Sequence, residues 1–518
     1  MLLRVLTDAF DRRRSIERLA DETFDVLVIG GGLFGAASAL DAASRGLATA
    51  LVEADDFAAG SSSMTSKLVC GTTELTAGRV APAERLSELA ILRNNASFLL
   101  WNVPVIEPGR RSPRHQRTGR IAARFSLSRR RPSDEWQIDR DAVLDRIPSL
   151  RPEASSNTSI HTGAVVDDAR LTLAMARTAA IIFGTRCTNR ASVERVRHDA
   201  SGHAVGAEVA LRDATAAIVV DRVSVAARTI IDARPSPRPQ PNPSTTRLYL
   251  AVEGDRLVAD SAYLSPQLSI VPWLDHVMLG IAGDFGESTE AQPPAPSREQ
   301  ITEALVAARS WVDHDLDSTD VTGAWFGPPP RKRMLIRPGG RVSALVSDDG
   351  VITAHTDDLT ESRRLAADAV DIAVTQLGHE VSIRPSRTKR IELIGSGSRD
   401  DVGGLSIPRL WHRYGTESRV VQAIMRSHPD LAVAARPDST YILGEVVYAA
   451  RYEMACSIDD VLSRRWRVGL LDAAQAADLA PQVADLLAAE LGWDEQTKRS
   501  RLDQFVAMSR PWLTEHRR

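Results

Sequence analysis

The pattern of apolar positions near the start of the chain predicts a strand, a glycine turn, a helix and a second strand. Phe24 to Ile29 is a short run rich in β-branched residues, which predicts a buried strand. Gly35 to Gly46 is rich in alanine at helical spacing, and Ala48 to Glu53 is apolar again. Strand, turn, helix and strand within about 30 residues predict a βαβ unit.

Further along, amphipathic runs and runs that begin with acidic residues predict helices. Alternating or β-branched runs predict strands. The predicted helices are Glu84–Leu100, Asp167–Phe183, Arg298–Asp313, Leu359–Leu377 and almost all of 408–518. The predicted strands are 205–211, 217–225, Leu248–Val252, Leu268–Val271 and Val277–Ile281.

Segments rich in proline, glycine or arginine separate these elements. Residues 234–245 hold five prolines, and Pro328 to Pro330 form a second cluster. Residues 107–134 are predicted to be a loop, and Gly395 to Gly404 a linker between domains.

Composition narrows the class of protein. With 518 residues, of which 43% are hydrophobic and 25% charged, we expect a globular protein with two or more domains. A net charge of −3 gives no reason to expect nucleic acid as a partner. Cys70, Cys187 and Cys456 are far apart, so we expect no disulfide framework, no metal site and a cytoplasmic location.

The sequence also bears on membrane contact. Arg12, Arg13 and Arg14 are not followed by the apolar run of a signal peptide. No stretch reaches the roughly 18 apolar residues that span a bilayer. Any contact with a membrane is therefore expected to be peripheral.

The turn after the first strand carries the clearest chemical signal. Gly30, Gly32 and Gly35 form G-x-G-x-x-G, in which the glycines allow a tight turn, a close approach of pyrophosphate and close packing of helix on strand. The helix start offers N–H groups and a positive dipole end to phosphates. Glu53 ends the second strand, where its carboxylate can accept hydrogen bonds from a ribose. A purely structural glycine turn is the alternative, but the flanking strand, helix and acid favour a dinucleotide site.

The chain resembles the FAD-dependent, quinone-linked glycerol-3-phosphate dehydrogenases from about Phe24 to its end. The matching segments include DVLVIGGGLFGAASALDAASRGLATALVEADDFAAGSSSMTSKLV (Asp25–Val69) and VVDDARLTLAMARTAA (Val165–Ala180). They also include EVVYAARYEMACSIDDVLSRRWRVGL (Glu445–Leu470) and LGWD (Leu491–Asp494). The last two are specific, because other flavin oxidases of this fold lack that C-terminal domain.

The resemblance implies an α/β fold: a Rossmann-like FAD-binding domain interleaved with a mixed α/β substrate domain, followed by an all-helical C-terminal domain. We expect an N-terminal arm at 1–23, an oxidoreductase region at 24–400 and the C-terminal domain at 405–518. Within the oxidoreductase region, the FAD-binding parts are expected at about 24–80, 160–235 and 345–380, and the substrate parts at about 81–159 and 240–344.

The resemblance also implies a reaction of glycerol metabolism. Hydride passes from C2 of glycerol 3-phosphate to FAD, and a quinone then reoxidises the flavin. It allows a homodimer and a peripheral contact at the inner face of a membrane. The residues expected to hold FAD are Gly30, Gly31, Gly32, Leu33, Phe34, Gly35, Glu53, Ala54, Ser61, Ser62, Ser63, Ser66 and Lys67.

This sequence departs from the family at the positions expected to bind substrate. Glu74 and Pro329 stand where the family has arginines, and near Gly340 a third arginine is shifted to Arg341. Asp358 stands at a lysine, in a segment that has also lost two glycines that let the backbone approach the flavin.

A phosphate dianion requires cations, and a carboxylate in place of an arginine repels it. The cations that could compensate are Arg247, which stands at the family's histidine, and Arg331, Lys332, Arg333 and Arg341. We therefore expect altered or reduced activity. The alternatives are a catalytically inactive paralogue, including a partner subunit, and a flavoenzyme for a different substrate.

Four other features have two interpretations each. Arg129 to Arg131 and Arg331 to Arg333 are either solvated surface or anion-binding patches. Trp273 is interpreted as a core residue rather than a catalytic one. Cys70 is interpreted as a small buried residue rather than a reactive thiol.

Overall fold

The computed structural model shows two large sheets, their covering helices and a helical C-terminal region. It describes residues 9–71, 82–108, 136–156, 158–213, 218–235, 246–285, 295–327, 336–337, 341–342, 344–356, 358–378, 383–402, 407–437 and 439–513.

The elements up to the middle of the chain are α1 (Arg12–Asp21), β1 (Thr23–Ile29), α2 (Leu33–Ser44), β2 (Thr49–Val52), β3 (Leu68–Cys70), α3 (Pro82–Asn95), β4 (Leu100–Pro108), β5 (Trp136–Ile138), α4 (Arg140–Arg146), β6 (Thr158–Val166), α5 (Asp168–Phe183), β7 (Arg186–Thr188), β8 (Ala191–His198), β9 (Ala204–Arg212) and β10 (Val219–Asp232). The remaining elements are β11 (Thr246–Glu253), β12 (Ala262–Leu264), β13 (Leu268–Trp273), β14 (His276–Gly283), α6 (Arg298–Ala308), β15 (Val321–Phe326), β16 (Ile336–Arg337), β17 (Arg341–Val342), β18 (Leu345–Val346), β19 (Ile352–Thr353), α7 (Ser362–Leu377), α8 (Pro408–Tyr414), α9 (Ser418–Ser427), α10 (Gly444–Tyr452), α11 (Val468–Leu471), α12 (Ala473–Leu491) and α13 (Glu495–Leu513).

The first sheet is built around a parallel core in the order β19-β10-β1-β2-β7. β9 pairs antiparallel with β10, and β8 with β9, so a meander branches from the core. β1 is central, and the chain runs from it to β2 on one side and reaches β10 on the other. The carboxyl ends at β1 are therefore a topological switch point, where ligands bind in folds of this kind.

Small residues let α2 lie between its neighbours. Every residue of α2 is buried, and the helix packs against α5 on one side and α7 on the other. The sequence LFGAASALDAAS supplies the short side chains that this close packing needs. Its one acid, Asp41, is neutralised within the layer by Arg45 at 2.5 Å.

The second sheet is largely antiparallel. Its strands follow the order β15-β11-β14-β13-β12-β4-β6-β3, with β5 on β6. One face packs on α6, which starts with a capping box between Ser297 and Gln300. The other face is aromatic and holds Trp273, which is 2% exposed, and Cys70, which has no exposed surface. Both residues are core residues, as expected.

The C-terminal helices pack on α5 as well as on each other. α5 starts with the side chain of Asp167 accepting from the Arg170 backbone N–H and ends at Gly184, where φ is +80°. The segment Gly395 to Gly404, which was predicted to be a linker, packs against α8 at its first residue. A Cβ at Gly395 would lie 2.8 Å from the Tyr414 carbonyl oxygen.

Three predicted helices were too long. The helix predicted to Leu100 ends at Asn95, because β4 starts at Leu100 in pairing with Val166. The helix predicted to Asp313 ends at Ala308, because the chain then turns so that the Asp313 N–H donates to a carbonyl of the neighbouring segment. The helix predicted from Leu359 starts at Ser362, because the Asp358 side chain turns the backbone ahead of it.

Candidate functional site

The Gly30 turn, Glu53 and the start of two helices meet at the carboxyl edge of the parallel core. The Gly30 N–H donates to the Val52 carbonyl at 2.8 Å, and the Ala233 N–H to the Ile29 carbonyl at 2.8 Å. α2 follows β1 at this edge, and the segment after β19 leads into α7. His355 Nδ1, 3.1 Å from the Ala233 carbonyl oxygen, holds that segment beside β10.

The glycines of the turn are required by its geometry. Gly30 has φ +106°, which side-chain-bearing residues rarely adopt. A Cβ at Gly35 would lie 1.8 Å from the Gly30 carbonyl oxygen, so only glycine lets α2 pack here. A Cβ at Gly32 would lie 2.9 Å from Ser62 Oγ and would fill the space in front of the helix.

The first turn of α2 presents donors toward this space. The first N–H groups of a helix lack partners within it and carry a partial positive charge. The Leu33 N–H donates to Ser62 Oγ at 2.8 Å, and the Gly31 N–H donates to Glu53 Oε2 at 2.5 Å. A short 3₁₀ helix, Ser61–Ser63, brings Ser62 there. The Ser62 hydroxyl accepts from Leu33, so its own proton can be donated to a pyrophosphate oxygen.

Glu53 is held at the end of β2 by backbone donors. Besides the Gly31 N–H, the Asp55 N–H donates to Glu53 Oε1 at 2.8 Å. Burial raises the pKa of Glu53 to about 7; the Gly31 hydrogen bond opposes this rise and the nearby Asp56 adds to it. The carboxylate therefore lies beside the glycine turn, where it can accept from a ribose. Ala54, next to it, is exposed.

Lys67 is buried in the protein interior, next to the Ser61–Ser63 turn of this edge. Its Nζ donates to the Ser63 carbonyl at 2.6 Å and to Asp168 Oδ2 at 2.6 Å, and the residue has no exposed surface. Burial lowers the pKa of Lys67 to about 8, against the opposing effect of Asp168. Lys67 thus ties the Ser61–Ser63 turn to the start of α5. Ser66, the expected residue before it, is only partly buried.

At the start of α7, Asp358 pairs with an arginine from α3. Arg85 Nη1 lies 2.8 Å from Asp358 Oδ2. Asp358 Oδ1 accepts from the backbone and the hydroxyl of Thr360, at 2.8 and 2.6 Å. The Asp358 carboxylate therefore lies in the turn that precedes α7. Arg85 also donates to the Cys70 carbonyl at 3.0 Å.

Among the expected cations, Arg247 is the one whose side chain the structure describes. It lies near the start of β11, next to the edge strand β15, and its guanidinium donates to the carbonyls of Gly280 at 3.1 Å, Ser265 at 3.0 Å and Pro266 at 2.8 Å. It shares a strand face with Tyr249, which stacks on Trp325. These backbone contacts fix the direction of the Arg247 side chain.

The remaining expected substrate positions lie outside the described residues, or are described for the backbone alone. The structure does not describe the substrate positions Glu74, Pro329, Arg331, Lys332, Arg333 and Gly340, nor the arginine run Arg129, Arg130 and Arg131. Arg341 is described only as part of β17, which pairs with β16.

Sequence reasoning missed Arg85 and an ion cluster around Asp56. Arg85 is 2% exposed in an amphipathic helix, where a charged residue on the buried face was the available signal. Asp56 is bound by Arg464 and Arg465, which belong to the SRRWR segment of the C-terminal domain. The available signal for this cluster was the three arginines of SRRWR, which lie so close together among apolar residues that they required buried acidic partners.

The carboxyl edge fits the ADP part of FAD. The space that a Cβ at Gly32 would fill, the Ser62 hydroxyl and the Glu53 carboxylate match what a pyrophosphate and a ribose require. Among the described residues, no group of His, Cys, Asp or Glu side chains could hold a metal ion. The helices of the described ranges include none with the length and apolar character needed to cross a membrane.

Comparison with known proteins agrees with this geometry. The family described as FAD dependent oxidoreductase matches residues 25–357, and the C-terminal domain of alpha-glycerophosphate oxidase matches residues 386–498. The probable mitochondrial glycerol-3-phosphate dehydrogenase of Caenorhabditis elegans is 29% identical over 93% of this chain and 73% of its own length. Glycerol-3-phosphate dehydrogenase 2 of Mycobacterium tuberculosis is 29% identical over 92% of this chain and 86% of its own length.

Solved structures share the fold. Glycerol-3-phosphate dehydrogenase from Bacillus halodurans, complexed with FAD, superposes with a TM-score of 0.75 at 22% identity and covers 98% of both chains. L-alpha-glycerophosphate oxidase from Mycoplasma pneumoniae with FAD bound superposes with a TM-score of 0.50 at 15% identity, over 72% of this chain and 99% of its own.

Proposed function

This chain belongs to the FAD-dependent oxidoreductase family and resembles glycerol-3-phosphate dehydrogenase, and from this premise we propose that it oxidises a secondary alcohol of the glycerol 3-phosphate type. The family implies FAD as cofactor, a small-molecule substrate and an electron acceptor. The observation that carries the proposal is the meeting of the glycine turn, Ser62 and Glu53 at one edge of the sheet.

The chain's own residues divide the work of holding the cofactor. The start of α2 and Ser62 bind the pyrophosphate, and Glu53 accepts from the adenosine ribose. Lys67 and Asp168 hold the Ser61–Ser63 turn in place from below. FAD held in this way would supply the redox chemistry, as the acceptor of the hydride that leaves the alcohol carbon while the hydroxyl loses its proton.

Substrate binding differs from that of the family's usual members. Asp358 stands where the family has a lysine, and Arg85 supplies the nearest described cation to it. A carboxylate at this place reduces the attraction for a phosphate dianion. We therefore propose that glycerol 3-phosphate is oxidised with reduced efficiency, or that a related alcohol with less charge is preferred. The comparisons do not favour the alternative of an inactive paralogue.

The acceptor and the assembly are further parts of the proposal. By resemblance, a quinone reoxidises the flavin, which places the protein in the cytoplasm at the inner face of a membrane, in peripheral contact. A homodimer is part of the same proposal.

An absorption spectrum of the purified protein tests the proposal. Flavin bands that bleach when glycerol 3-phosphate is added without oxygen support it. Flavin bands that bleach with glycerol but not with glycerol 3-phosphate identify the less charged substrate. A protein that neither carries flavin nor takes up added FAD contradicts the proposal, and reoxidation of the bleached enzyme by a soluble quinone tests the acceptor.

A further inference from the structure

Asp56, three residues after Glu53, is the centre of a buried ion cluster that joins the nucleotide edge to the C-terminal domain. Arg465 binds it with both terminal nitrogens, Nη1 to Oδ2 at 2.7 Å and Nη2 to Oδ1 at 3.0 Å. Arg464 Nε donates to Oδ2 at 2.9 Å. Asp56 has no exposed surface, and Arg465 is 1% exposed. The contact is therefore bidentate, charge-assisted and shielded from water.

Residues next to β7 close the cluster from the FAD-binding side. Asn189 Nδ2 donates to Asp56 Oδ1 at 3.3 Å. Arg190 contacts Asp55 and reaches Asp460 of the C-terminal domain, Nη2 to Oδ1 at 2.8 Å. Every acid of the loop is thus bound: Glu53 by the glycine turn, and Asp55 and Asp56 by arginines.

The backbone around the cluster adopts conformations that cost free energy. Arg464 and Arg465 end a π-helical segment, Asp460–Arg465, of a kind that recurs at functional sites. The φ angle is positive at Ala58 (+61°), Arg190 (+51°) and Met454 (+54°), none of which is a glycine. Such angles persist only where the surrounding contacts fix them, and the contacts of this ion cluster are among those contacts.

We propose that Arg464 and Arg465 are positioning residues for FAD. The C-terminal domain holds the loop from Glu53 to Asp56 in the shape in which Glu53 accepts from the adenosine ribose, and this inference rests on FAD binding at the proposed site. The Asp55 N–H that donates to Glu53 lies between the two acids, so a shift of Asp56 moves a donor of Glu53.

Loss of Arg465 changes the loop because a buried carboxylate needs its partners. Without the bidentate contact, Asp56 keeps Arg464 and Asn189 alone, and the loop opens toward water to recover hydration. Coupling of this kind is reciprocal: if the C-terminal domain tightens FAD binding, FAD must stabilise the docked C-terminal domain by the same factor.

Titration of the FAD-free protein with FAD tests the positioning role. We expect Arg465→Met to raise the Kd for FAD at least tenfold, and Arg465→Lys to raise it less because the charge remains. The matched control is Arg177→Met, since Arg177 makes another buried ion pair between α5 and the C-terminal region, with Glu417. We expect the control to lose stability toward urea while its Kd stays within twofold of wild type. An unchanged Kd in Arg465→Met, or an equal rise in the control, overturns the inference.

Hydrogen exchange of the wild-type protein gives a test that needs no variant to fold. FAD is expected to slow amide exchange at 31–36, 53–56 and 453–467, and to leave residues 479–491 of α12 unchanged. Slower exchange at 31–36 without any change at 453–467 overturns the inference and leaves the proposed function standing. No flavin binding and no change at 31–36 overturns the proposed function, and the inference with it.

Discussion

The Arg85 guanidinium and the Asp358 carboxylate form an ion pair of 2.8 Å at the start of α7, between residues 273 positions apart. Arg85 is 2% exposed and the side chain of Asp358 is 17% exposed. Because Asp358 also accepts from Thr360, one carboxylate both fixes the turn ahead of α7 and neutralises the arginine. The pair lies where the family resemblance expects a lysine beside the flavin.

A double-mutant cycle should reveal the coupling between these two residues. We expect Arg85→Met and Asp358→Asn each to lower the free energy of unfolding by about 1–3 kcal/mol, because each leaves a buried group short of a partner. The double variant should lose less than the sum, with a coupling of about 1–2 kcal/mol. Urea unfolding followed by circular dichroism measures all four proteins, and additive losses would show that the contact is not formed.

Glycerol 3-phosphate should be a poor substrate for the wild-type protein. Two missing charge-assisted contacts of about 1.5–3 kcal/mol each correspond to roughly two to four orders of magnitude in kcat/KM. A dye-reduction assay decides this, and an efficiency equal to that of ordinary family members would contradict it.

Removing the charge of Asp358 should improve that reaction. We expect Asp358→Asn to raise kcat/KM for glycerol 3-phosphate by roughly five- to tenfold, because a repulsion on the scale of 1 kcal/mol disappears. Glycerol is the control substrate, since it carries no charge and should show no such gain. Equal changes for both substrates would place Asp358 away from the phosphate.

Replacement of Gly32 by valine should abolish FAD binding in a folded protein. The Cβ would lie 2.9 Å from Ser62 Oγ, and the branches would fill the space for the pyrophosphate. Gly60→Ala is the control, because it lies in the same region, has φ −89° and would meet no atom within 4 Å. Flavin content after reconstitution measures both, and wild-type occupancy in Gly32→Val would sink the dinucleotide assignment.

FAD affinity should depend on the charge of Glu53. Burial places the pKa of Glu53 at about 7 in the FAD-free protein, with Asp56 raising it and Arg190 lowering it. A ribose hydroxyl donates best to the carboxylate, so affinity should increase as pH rises through 7 and FAD binding should release a proton below that pH. Glu53→Ala should weaken binding by about 1.5–3 kcal/mol. Titrations from pH 6 to pH 8 check this, with Glu53→Gln expected to show no such slope.

The sequence by itself determined the local features of the FAD-binding domain. The strand to Ile29 and the glycine turn at Gly30 are confirmed, and Glu53 lies beside that turn, because each signal lies within a few neighbouring residues. The strands of the second sheet were predicted for the same reason, since a short apolar run is readable within six to eight residues. Helix ends were wrong where a distant strand or side chain competes with the helix, as at Asn95.

Only the tertiary structure decided which charges pair. Lys67 was expected at the cofactor, but it pairs inside the protein with Asp168, 101 positions away. Asp56 pairs with Arg465, 409 positions away. A chain with 64 basic and 67 acidic residues offers each charge many partners of similar local context. Burial and the approach of separate elements select among them, and neither is encoded in the residues next to the charge.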